Sequence, residues 1–348
     1  MKVAILNDTH CGIRNSSDIF MDYQERFYSD VFFPYLEKHN IKKILHLGDY
    51  YENRTSINFK ALNHNRRIFL DVLRDNSIHM DIIPGNHDVY YKNTNRLNSL
   101  KELLGHYMHE VRIIEKPMVV DYDGLPVGLI PWINPENKEE VEKWINQVKC
   151  DIIGAHLELE GFEMQSGVLC PHGMDSSLFS RFEKVLSGHF HTKSTKGNVY
   201  YLGSQMEFFW SDCDDTKYFH VLDTETKRIE SVENPHKIFH KLYYDGKDQF
   251  IPNLKNKFVK VFIINKPDPK AFDRFLDKIS SMQLYGLQVA EDFTEFSSES
   301  VEDAKVSVED TETLLYTYID AIDTDLNKDT IKSKMRSLMV EAQTMEIA

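Results

Sequence analysis

The chain is short of several things that would settle its class at once. It has four cysteines in 348 residues, Cys11, Cys150, Cys170 and Cys213, none in C-x-x-C spacing. Neither a zinc ribbon nor a disulfide framework is indicated, and a reduced, cytoplasmic setting is expected. No apolar run approaches the ~20 residues that cross a bilayer. The opening MKVAIL is too short an apolar stretch for the core of a secretion signal. No internal repeat is visible. Basic residues are in deficit, 41 Lys and Arg against 55 Asp and Glu, for a formal net charge of −14. Phosphate-binding surfaces are ordinarily basic. A nucleic-acid substrate would therefore need positive charge from bound cations or from another subunit.

What is present is a hydrophobic fraction of 41%, enough for one large core and a smaller second unit. From Lys2 to about His156 apolar strands alternate with amphipathic helical stretches. VAIL (3–6), KILHL (43–47), MDII (80–83) and DIIGA (151–155) read as strands buried on both faces, with helices expected over 18–38, 58–76, 94–105 and 136–148. This alternation predicts a layered α/β domain. Short consecutive strands around 111–132 and over 184–232 make the sheets mixed. NPHKIFH (234–240) reads as a linker to a small βαβ unit ending near residue 292. Residues 291–310 carry eight acidic residues against one Lys, the composition of a self-repelling tether. Beyond it, 311–322 and 328–343 have helical apolar spacing. Two such helices cannot bury their faces alone, which predicts a docking element for a partner.

Potential metal ligands follow each of five strands directly. They are Asp8, Thr9 and His10; Gly48 and Asp49; Asn86, His87 and Asp88 after Pro84 and Gly85; His156; and His189 and His191 around Phe190. Taken singly, each is ordinary: a D-x-H turn, a Gly-Asp turn, a helix cap, a polar strand face. Together, each at a strand end, they converge where open α/β sheets bind ligands. Two divalent cations about 4 Å apart need a shared anion, and Asp49 in its tight turn is the candidate. A His-rich donor set suits Mn, Fe or Zn over Mg or Ca. His46, within a strand, reads as a satisfied core residue. His39, His64, His79, His106 and His109 read as surface or helix-end residues.

In that order D-T-H (8–10), G-D (48–49), G-N-H-D (85–88), H (156) and G-H-F-H (188–191) resemble the five motifs of the calcineurin-like metallophosphoesterase superfamily, over about the first 230 residues. LIPW (129–132), AHLELEGF (155–162), NVYYLGS (198–204) and VLDTET (221–226) are similar to SbcD/Mre-type DNA repair nucleases, in particular those of large tailed phages. The resemblance implies an α/β fold: a four-layer α/β/β/α sandwich with mixed sheets, a small α+β capping domain and C-terminal helices. The expected boundaries are 1–235 for the nuclease domain, 236–292 for the cap, 293–310 for the acidic linker and 311–348 for the docking element.

It also implies roles. Asp8, His10 and His191 would hold one metal, Asn86, His156 and His189 the other, and Asp49 would bridge. The cofactors would be two divalent cations, Mn²⁺ first and Mg²⁺ second, with a bridging hydroxide attacking phosphorus. His87 would face the scissile phosphate, and Asp88 would orient it or cap the following helix. Cellular members carry a second His three residues after the bridging Asp, where this chain has Glu52. An anion there cannot make the same phosphate contact, which Arg54 nearby would compensate; the candidate substrate contacts are Glu52, Arg54 and His172. The partners implied are DNA and an SbcC-type coiled-coil ATPase, with the chain a homodimer inside a heterotetramer. The expected activities are 3′→5′ exonuclease on duplex ends and endonuclease on single strands.

Two other functions are weighed. A phosphoprotein or nucleotide phosphatase of the same superfamily would follow Gly-Asp with Arg-Gly and close the third motif with Glu. GDYYENR and GNHD do neither. A non-catalytic assembly subunit would have no use for the complete ligand set.

Overall fold

A computed structural model of the chain describes residues 1–290 apart from 166 and 248, together with Ile319, Lys328, Thr330, Ile331, Lys332, Lys334 and Met335, which are helical. The acidic stretch 293–310 and most of the 311–348 element lie outside the described residues.

Two six-stranded mixed sheets carry the first 233 residues. In the first, Lys2–Leu6, Lys43–His46, His79–Ile82 and Val111–Ile113 run parallel in that spatial order. The strand Tyr218–Asp223 lies antiparallel on the other side of Lys2–Leu6, with Val3 opposite Leu222. In the second, Val199–Tyr201, Lys184–Gly188, Ile152–His156 and Leu125–Ile130 are parallel neighbours, flanked by antiparallel edge strands.

Alternation along each strand sorts its side chains into layers. Val3, Ile5, Leu45, Leu47, Val127, Leu129, Ile152 and Leu186 form the cluster between the sheets. Ala4, Leu6, Ile44 and Met80 face the helices on the other side, where Phe27, Phe32, Leu36 and Phe69 meet them. Ile153, Ala155 and Val185 face Val141 and Ile145 of the helix Lys138–Gln147. The result is the four-layer α/β/β/α sandwich expected from the sequence.

The helix over 18–38 is continuous, with one wider π turn at Tyr28–Phe32. The one over 59–75 has the same interruption at Arg66–Leu70. The stretch 94–105 departs from expectation, since only Ser99–Leu103 is α-helical. Asn98 caps that helix by accepting from Lys101 N (3.0 Å) and donates to the Asn95 carbonyl (3.0 Å). These side-chain bonds hold 94–98 as a loop.

A third sheet, Phe239–Tyr244, Phe258–Ile263 and Gly286–Ala290, is parallel throughout and covered by the helix Pro269–Ser280. The segment 234–240 is no free linker. Asn234 donates to the Gln205 carbonyl (2.8 Å), Ile238 is buried, and the strand begins at Phe239. Phe239 and Phe258 pack against Phe20, and Trp210 against Phe239. No helix among the described residues is long and apolar enough to cross a membrane.

Candidate metal centre

The loops leaving the parallel strands are laced together as a continuation of the sheets. Asp8 N donates to the Gly48 carbonyl (2.9 Å), His10 N to Asp49 (3.1 Å) and Cys11 N to Tyr50 (2.8 Å). Asp8, His10, Asp49 and His189 hold left-handed backbones, with φ of 48°, 45°, 55° and 93°. Such conformations cost of order 1–3 kcal/mol each and persist only where the surroundings enforce them. Gly48 and Gly85 permit the close approach. A Cβ on Gly48 would stand 2.7 Å from His156 Nδ1, and one on Gly85 2.4 Å from Asp49 N.

The side chains so placed form three groups, each with ligand atoms within 4.8 Å of one another: Asp8, His10 and His191; His10, Asp49 and His87; and Asp49, His156 and His189. Asp49 belongs to two of them and connects the ends of the centre. Asn86 joins the last group, its Oδ1 lying 2.7 Å from His156 Nε2 and 2.9 Å from His189 Nδ1. His10 Nε2 is 3.1 Å from His191 Nε2, and His156 Nε2 3.2 Å from Asp49 Oδ2. Neighbouring donors about 3 Å apart are what bonds of about 2.1 Å at right angles around one ion require. Imidazoles, carboxylates and one amide oxygen suit first-row divalent cations. The residues fit a pair of such ions.

The outer contacts orient this set. His156 Nδ1 donates to the Leu47 carbonyl (2.7 Å), and His189 N to both oxygens of Asp8 (3.1 Å each). Burial works against the charge on Asp49, yet His156, His87 and the hydrogen bond from His156 hold its carboxyl well below the usual carboxylate range. Burial likewise disfavours a charged His156, but Asp49 and Asp8 raise it to about 9. Burial with His10 beside it lowers His191 to about 3.

His87 lies inside the centre, grouped with His10 and Asp49. Its Nδ1 donates to the Glu52 carbonyl (2.6 Å), its N donates to Asp49 Oδ1 (2.9 Å), and its Nε2 lies 4.0 Å from Asp49 Oδ2. Asp88 fills neither role expected of it. Its carboxylate accepts from Tyr50 N (3.1 Å), Tyr51 N (3.1 Å) and Gly85 N (2.9 Å), and the next helix is capped by Asn98 instead. Buried amides of a neighbouring loop outcompete the imidazole for it, so Asp88 ties the 48–52 loop to the 85–88 loop. Glu52 turns inward, Oε2 2.7 Å from His10 Nδ1, rather than outward to substrate. Arg54 is half-buried. His172 is exposed and belongs to none of the three groups. His46 is the core residue expected, buried with Nε2 3.0 Å from Thr9 Oγ1.

Sequence reasoning missed Lys217. It is buried, paired with Asp212 (2.7 Å) and Asp215 (2.9 Å), and donates to the His191 carbonyl (2.9 Å). Asp212 in turn accepts from Phe208 N and Phe209 N, and the Phe209 ring stacks on His191. Trp132 was missed as well, its ring centroid 5.9 Å from that of His156 and 5.4 Å from that of His189. Nothing local marks DCDDTKYF or LIPW as belonging to a metal centre.

Comparison with known proteins bears on this geometry. A family model described as calcineurin-like phosphoesterase matches residues 1–193. Exonuclease subunit 1 of Enterobacteria phage T4 is 31% identical over 347 residues, covering 98% of this chain and 99% of that protein. Two solved structures align weakly. One is an archaeal phosphodiesterase, 16% identical, with 67% of this chain and 100% of that one covered and a TM-score of 0.35. The other is a protein of unknown function from Aquifex aeolicus, 19% identical, with 45% and 80% covered and a TM-score of 0.27. With the ligand-bearing part of the sequence matched by the family model and nearly its whole length by a phage exonuclease subunit, the chain belongs to the calcineurin-like phosphoesterases.

Proposed function

We propose that the chain is the nuclease subunit of a DNA-processing complex, a phosphodiesterase that uses two divalent cations, Mn²⁺ in preference to Mg²⁺. The observation that carries this reading is the run of three ligand groups, linked by His10 and Asp49, that sets His87 in the middle of the centre between the Asp8 and His156 ends. Asp8, His10 and His191 would hold one cation, Asn86, His156 and His189 the other. Bound there, they would acidify a coordinated water and draw charge off the phosphate oxygens. His87, its Nδ1 proton fixed on the Glu52 carbonyl, turns Nε2 toward Asp49 and the centre, where it would hold a proton at the leaving oxygen. DNA as substrate is supported by the end-to-end likeness to a phage exonuclease subunit, which includes the tail that a small-molecule phosphatase would not need. By the resemblance of its motifs to SbcD/Mre-type nucleases the activities would be 3′→5′ exonuclease on duplex ends and single-strand endonuclease. A homodimer would work with an SbcC-type coiled-coil ATPase docked through residues 311–348.

The test compares wild type and His87→Ala on linear duplex DNA, circular single strands and a phosphoserine peptide, with Mn²⁺ or Mg²⁺, with and without the ATPase. DNA should be cut faster with Mn²⁺. His87→Ala should lose at least about 10²-fold in rate while calorimetry shows metal binding unchanged. Hydrolysis of the peptide with DNA left intact would make this a phosphatase. No hydrolysis under any condition would make it an assembly subunit.

A further inference from the structure

Glu52 stands where the motif of cellular members has histidine, and it touches two of the centre's imidazoles by different atoms. Its Oε2 lies 2.7 Å from His10 Nδ1, and its main-chain carbonyl accepts from His87 Nδ1 (2.6 Å). His10 Nδ1 and Glu52 Oε2 are both buried and make no hydrogen bond among the described residues, so their 2.7 Å contact is that of an ion pair. Both rings therefore turn their Nε2 atoms into the centre, His10 toward His191 (3.1 Å) and His87 toward Asp49 (4.0 Å). Their centroids are 4.7 Å apart, nearly perpendicular.

Glu52 is itself held from two sides. Its N donates to the Cys11 carbonyl (3.0 Å), and the Asp88 carboxylate grips the amides of Tyr50 and Tyr51 just before it. The residue after His10 and the residue after His87 thus fix the residue that orients both rings.

We propose that Glu52 is a positioning residue serving both halves of the site, its carboxylate orienting His10 as a metal ligand and its carbonyl fixing the proton on His87. A carboxylate on the far nitrogen of a ligating histidine sets its tautomer and raises its basicity. Removing such a partner typically costs 10- to 100-fold in metal affinity. Changing the carboxylate by mutation removes its 2.7 Å contact to His10 and a longer one of 4.0 Å to His87 Nδ1, while the 2.6 Å contact of the carbonyl to His87 stays.

The inference rests on the two-cation reading, and metal binding by the full chain, measured without DNA, distinguishes their failures. Mn²⁺ titration calorimetry of wild type should resolve two sites. Glu52→Ala should weaken one of them by about 10-fold or more and spare the other, with Glu52→Gln intermediate because its amide oxygen still accepts from His10. The pH profile of DNA cleavage at saturating Mn²⁺ should keep its shape in both variants, since the carbonyl on His87 is intact. Glu52→Asp, whose melting temperature shows whether the loop still folds, should recover part of the affinity. Two sites of unchanged affinity in Glu52→Ala would overturn the positioning role alone. Absence of Mn²⁺ binding in wild type would overturn the two-cation reading with it.

Discussion

Gly85 leaves no room for a side chain because the Asp49 backbone passes where its Cβ would stand, and Asp49 is the carboxylate shared between the ligand groups. Gly85→Ala must therefore push apart the two loops that Asp88 draws together. Displacement of about 1 Å at a reacting centre costs of order 10² in rate. That loss is expected in single-turnover cleavage, with a circular dichroism spectrum like that of wild type; an unchanged rate would mean the loops yield freely. The grouping of these side chains was legible in the sequence, because each follows an apolar run that has to end at the same rim of a sheet. The residues that hold them were not. Lys217 reaches the His191 carbonyl from 26 positions away, and Glu52 contacts His10 from 42. No spacing rule encodes such contacts, since they arise only when separate loops meet. Asp88 was misread for a related reason. Local logic offered it a neighbouring imidazole or a helix start, and the fold supplied three buried amides instead.

At the scale of elements, helices 18–38 and 59–75 were legible from apolar period despite a π turn in each, because their packed faces dominate. The loop at 94–98 was not, because buried asparagine bonds override the pattern there. The supposed linker at 234–240 is a seam. The buried Glu207 carboxylate accepts from Ile238 N (2.7 Å) and Phe239 N (2.9 Å) where the third sheet begins. Burial pushes its carboxyl up to about 7, with Asp212 adding to the rise while the two amides and Lys237 oppose it. A group whose folded pKa is raised stabilises fully below its free value of 4.5, and that stability is lost as pH rises through about 7. Between pH 4.5 and 8 wild type should therefore lose on the order of 3 kcal/mol relative to Glu207→Gln, read as converging or crossing urea midpoints. Parallel curves would show that this carboxyl does not titrate in the fold.

The whole molecule carries a net charge of −14 and yet is proposed to act on a polyanion. The sign conflict was visible in composition; on the proposed reading it is resolved in a centre where imidazoles and one amide outnumber the carboxylates Asp8, Asp49 and Glu52. Two divalent cations there leave local positive charge in an otherwise repelling surface. Binding of a short duplex should then rise steeply with Mn²⁺ and hardly at all with Na⁺ at matched ionic strength, measured by fluorescence anisotropy with a phosphorothioate substrate that resists cleavage. Equal effects of the two salts would place the attraction elsewhere, in the partner alone.

The strand Lys2–Leu6 lies between Lys43–His46 and Tyr218–Asp223. The first of these leaves the ribosome soon after it, the other roughly 200 residues later. Closing so long a loop is slow, since its entropy is lost before the contacts that repay it are made. During synthesis Asp8 and His10 must wait for His189 and His191, and the sheet beneath them for its last inner strand. A chain stalled short of residue 223 would expose that half-built edge, and aggregation competes hardest with folding at such an edge.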